Sequence, residues 1–120
     1  MIKKLACAIV AVVVVTLAAS PAQAKPVKQR AANAALCYEA ITTGSIPLEI
    51  APADYAKCGA IMLKYEAWLK EVYPSQSQSG VFSETEQNAG LNYLGGRVGK
   101  AYRVTSTQIV NAYKRLRPNG

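Results

Sequence analysis

Tyr55, Cys58, Met62, Tyr65, Leu69 and Val72 follow one another at steps of three and four residues, with Ile61 and Trp68 widening the stripe they form. That period belongs to one face of an α-helix and is incompatible with the two-residue alternation of a strand. Pro52 suits the first turn of such a helix and Pro74 its end, so the spacing predicts a helix opening at Pro52 and closing before Pro74. A chain with this segment as its strongest signal is committed to helix packing. The remaining segments must supply the surfaces that cover it.

Residues 27–43 provide a first candidate, with Ala31, Ala34, Cys37, Tyr38 and Ile41 at helical spacing and Gly44 placed to end the helix. Its stripe is thin and alanine-rich, which suits close approach to a neighbouring helix. Between the two, Ser45 to Ile50 alternates but contains Pro47, which allows an extended connector or a short edge strand. Residues 73–83 form a polar segment containing Gly and Pro, without periodicity, and read as a flexible linker. Ser83 and Glu86 then make a capping box, so a third helix is expected from Glu84. Leu91, Leu94, Val98, Tyr102, Ile109, Tyr113 and Leu116 carry the helical period on almost to Pro118. Gly95-Gly96 and a second box beginning at Thr105 are two places for a kink. The expected fold class is all-α, a small three- or four-helix bundle.

The opening of the chain assigns it a compartment. Lys3 and Lys4 precede an uncharged apolar run from Leu5 to Ala19, followed by Ser20, Pro21 and the small-residue pattern Ala22-Gln23-Ala24. That is the order of a cleavable signal peptide, and the run is shorter than the roughly 20 residues of a spanning helix. Cys7 lies at the front of the run, whereas the lipid-modified cysteine of a lipoprotein signal would close it. Cleavage is expected between Ala24 and Lys25, leaving a single helical domain over residues 25–120 in the periplasm or outside the cell. Two cysteines remain, Cys37 and Cys58, and export places them where disulfides persist. One internal bridge is expected. The loop it closes contributes on the order of 3 kcal/mol in the chain-entropy model, a large share of a small domain's stability.

Catalytic chemistry finds few candidates. The chain has no histidine, which removes the commonest general base and metal ligand. With both cysteines in a bridge, thiol nucleophiles and cysteine zinc sites lose their residues. The serines stand in neither a G-x-S-x-G elbow nor an S-x-x-K motif, and the glycines at 90, 95, 96 and 99 fit no phosphate-loop spacing. No enzyme activity, metal or cofactor is expected. Charge is more informative. The formal +7 falls to +5 without Lys3 and Lys4, the middle of the chain is mildly acidic, and both ends are basic. Arg97, Lys100 and Arg103 recur every three residues, and Lys114, Arg115 and Arg117 extend the positive charge, making a candidate ridge for an anionic partner. For an exported protein, acidic proteins, anionic lipids and envelope polysaccharides rank ahead of nucleic acid.

The stretch Cys37-Tyr38-Glu39-Ala40-Ile41, followed by Gly44-Ser45-Ile46-Pro47-Leu48-Glu49, resembles the C-E-A-[IV] and G-S-x-P-x-E opening of the conjugative-transfer TrbM/KikA family. The resemblance implies a small exported accessory protein of type IV secretion. Thr42 and Ile50 stand where that family carries additional cysteines. The expected function is an exported, non-catalytic binding or accessory protein working by protein–protein contact, such as an immunity or inhibitor protein or a secretion-system factor. The alternative is an envelope-surface binder that docks its basic third helix on anionic lipid or polysaccharide.

Overall fold

A computed structural model describes residues 25–119, and the signal peptide expected over residues 1–24 lies outside the described residues. The described chain forms α1 (Val27–Thr43), a 3-10 turn (Pro52–Asp54), α2 (Tyr55–Val72), α3 (Pro74–Ser79), α4 (Glu84–Tyr102) and α5 (Ser106–Leu116). Among the described residues there is no strand, and the connector before α2 is a run of turns. The fold is all-α, a bundle of four longer helices and one short one. Among the described residues no helix is long and apolar enough to cross a membrane.

The alanine stripe sets the architecture. Ala31, Ala34 and Ala35 are buried on α1, and this helix packs along both α5 and α4. Short side chains allow that approach, while Leu94, Val98, Tyr102, Ile109 and Ala112 supply the opposing surface. The helix ends where Gly44 takes a left-handed conformation at φ 76° and returns its N–H to the Ala40 carbonyl. On its far side α2 packs against α4, and Trp68 stacks on Tyr93 with ring centroids 4.6 Å apart.

Cys37 and Cys58 form the expected bridge, with Cα atoms 5.6 Å apart and both residues buried. It joins α1 to α2, two helices that otherwise scarcely touch. The stripe on α2 is therefore only half covered. Cys58 and Ile61 are buried, whereas Tyr55, Met62 and Val72 remain exposed.

The long third segment is two helices. Gly95 and Gly96 pass through α4 without a break, and the chain turns at Arg103, whose φ is 58°. The N–H groups of Arg103 and Val104 both donate to the Gly99 carbonyl, and the Thr105–Gln108 capping box then opens α5. A second difference lies in the segment expected to be a linker. Pro74 at the first helical position and a left-handed Gly80 at φ 79° enclose one and a half turns of helix, α3, in residues that carry no apolar period.

Candidate functional site

The six basic residues read as one ridge stand in separate surroundings. Arg97 is half-buried beside Lys64, Trp68 and Tyr93, and Lys100 is exposed on α4. Arg103 lines a recess with Lys25, Arg30 and Lys57. Lys114 stands at a groove between α1, α4 and α5, and Arg115 shares a different recess with Lys28.

Arg117 is paired within the chain. Its Nε and Nη2 donate to the Glu39 carboxylate at 3.2 and 2.9 Å, and its Nη1 and Nη2 donate to Glu49 at 2.7 and 3.1 Å. These contacts correct its place on the candidate ridge, because a bidentate guanidinium between two carboxylates has its charge already answered. The hydrogen bond from Arg117 holds the Glu49 carboxyl below its usual value, and the two glutamates make the Arg117 proton harder to remove than usual. Glu39 sits on α1 and Glu49 in the connector, so Arg117 ties the end of α5 to both.

Arg30 has a comparable task. It reaches from α1 to the end of α4, where its Nε donates to the Tyr102 carbonyl at 3.2 Å and its Nη2 to the Arg103 carbonyl at 3.3 Å. Those are the main-chain oxygens that a helix end leaves without partners.

An open groove with an apolar lining lies beside the disulfide. Ile41 and Ile50 on one side, and Cys58, Met62, Tyr65 and Leu69 on the other, line a groove of about 530 Å³. Its only ionisable side chains besides the tyrosines belong to Glu66. Ile46 on the rim is 64% exposed and Leu48, in the same connector, fully so; Tyr55 and Met62 extend the apolar surface onto α2. Burial raises the Tyr65 hydroxyl above its usual pKa, so it stays neutral at the groove wall.

No family model, curated protein or solved structure matches this chain. The likeness of residues 37–49 to the conjugative-transfer family therefore rests on those residues alone. Two of them have defined roles here, Glu39 and Glu49, which receive Arg117. No group of three or more potential ligating side chains suited to a metal ion occurs among the described residues.

The groove could have been suspected from sequence, because Ile46, Leu48 and Ile50 flank Pro47 in a connector too short to fold over itself. Which part of the α2 stripe it left open could not, since that depends on the positions of α1 and α4.

Proposed function

We propose that this is an exported, non-catalytic binding or accessory protein that acts by protein–protein contact, released into the periplasm or beyond by cleavage after Ala24. The observation that carries this reading is the apolar groove beside Cys58. Contiguous exposed apolar surface at a concave site is what a partner's helix or loop covers. The occupant favoured here is the apolar face of a helix with a basic flank, because Glu66 is the groove's one acidic group. An immunity or inhibitor protein and a secretion-system accessory factor both fit this reading.

The test places a photo-crosslinking residue at Leu63, which is exposed on α2, in a chain expressed with its own signal sequence. One envelope or exported protein should be captured, and Ile46→Asp with Met62→Asp should abolish that capture. Equal capture by the variant would overturn the groove as the docking surface. The alternative, a basic helix seated on anionic lipid or polysaccharide, has less to stand on: Arg117 is paired, Lys100 is exposed on α4, and Arg97, Arg103, Lys114 and Arg115 line four different recesses.

A further inference from the structure

Four basic residues from separate parts of the sequence line one cavity at the C-terminal end of α4. Lys25 precedes α1, Arg30 lies in its first turns, Lys57 is on α2 and Arg103 follows α4; together with Asp54 and Tyr102 they line a cavity of about 310 Å³. That is near the lower bound for small-ligand sites. Arg30 is fixed by the carbonyls of Lys25, Tyr102 and Arg103, so its charge faces no carboxylate within ion-pair distance. The Lys57 Nζ stands 4.7 Å from the centroid of the Tyr102 ring. Among the described residues none of these four bases is in an ion pair, and neither is Asp54, although it is only 7% exposed. Tyr102 is 3% exposed and its hydroxyl has no hydrogen-bond partner. Buried polar groups left this way are uncommon and cost stability.

The charges select a ligand. Four cations against one carboxylate attract an anion, and a bare anion beside Asp54 would meet repulsion. An anion that carries its own ammonium group answers both. We propose that this cavity binds a small zwitterion, a phosphate group bearing a nearby amine, with Lys25, Lys57 and Arg103 on the phosphate and Asp54 on the ammonium. The site is independent of the apolar groove and does not require a protein partner.

Calorimetric titration of the purified, disulfide-bonded protein with O-phosphoethanolamine, inorganic phosphate and ethanolamine tests this. Phosphoethanolamine should bind saturably, at least ten-fold tighter than inorganic phosphate, and ethanolamine alone should not bind measurably. Lys57→Gln should weaken binding at least ten-fold, and Asp54→Asn should erase the preference over inorganic phosphate. Because Lys57 is exposed, its variant gives the reading even if Asp54→Asn does not fold. Vesicles of phosphatidylethanolamine and of phosphatidylcholine separate a free ligand from a lipid headgroup. Retention on phosphatidylethanolamine alone, lost with Lys57→Gln, would place the zwitterion on a lipid. Equal affinity for phosphate and phosphoethanolamine overturns the proposal, as does unchanged binding by Lys57→Gln or the absence of binding to any of these probes.

Discussion

Arg117 divides its guanidinium between two carboxylates, one on α1 and one in the connector to α2. The Glu49 carboxyl is held below its ordinary value of 4.5, so the folded state binds that proton less readily than the unfolded chain. Its contribution is fully present above pH 4.5 and is lost as pH falls through the lowered folded value. Thermal melts of Arg117→Gln and of the parent should therefore differ at pH 7 and converge as pH drops toward 3. A gap that stayed constant with pH would assign the Arg117 effect to packing. Two glycines on α4 give a sharper contrast. A Cβ on Gly99 would stand 2.9 Å from the Val104 carbonyl oxygen, a backbone atom in the turn, whereas one on Gly96 would meet nothing within 4 Å. Gly99→Ala should destabilise the protein by about 1–3 kcal/mol, the usual range for overpacking. Gly96→Ala should stabilise it by roughly 0.5–1 kcal/mol, since it removes only the entropic cost of glycine in a helix. Denaturant midpoints of the two variants should move in opposite directions.

Among the helices, α2 depends most on a single covalent link. It packs on α4 but meets α1 chiefly through Cys37–Cys58, whose sequence separation is 21 residues. Replacing both cysteines with alanine should lower the unfolding free energy by about 3 kcal/mol from loop closure, measured by denaturant titration at constant m-value. The helix starts are governed locally. At each of Ser83 and Thr105 the side chain accepts the backbone N–H three residues on, and the Glu86 or Gln108 side chain accepts the N–H of the cap. Thr105→Ala should cost about 1 kcal/mol and fray α5 first. Such ends were legible in the sequence because their partners lie three residues apart. The same holds for Gly44 and for the Cys37–Cys58 bridge, which needed only compartment and count. Helix α3 was not legible from periodicity, although Pro74 and Gly80 marked its ends. The Arg30 clamp was invisible for another reason: its carbonyl partners are 72 and 73 residues away. The surroundings of the candidate ridge were hidden in the same way, since regular spacing along the sequence said nothing about the turn at Arg103 or about the carboxylates opposite Arg117.

At the scale of the whole molecule, α2 reaches the buried core through Ile61 and the open groove through Met62. Ile61 is 5% exposed and belongs to the core with Leu94 and Val98, which are fully buried. Truncating Leu94 to alanine should cost about 2–5 kcal/mol, because the surrounding helices cannot close around the lost volume. Ile46 and Met62 face the open groove and contribute little to that core. Exposed substitutions away from caps and buried networks usually change stability by less than about 0.5 kcal/mol. Ile46→Asp with Met62→Asp should therefore leave the helical circular dichroism signal and the melting temperature close to those of the parent. The same variant should reduce binding of a hydrophobic dye and lose the crosslinked partner, since charge is now set into an apolar surface. Leu94→Ala should do the reverse, melting early while a folded population at low temperature still captures the partner. If Ile46→Asp with Met62→Asp instead melted as early as Leu94→Ala, the groove would belong to the bundle's own core, and docking would have to be sought on another face.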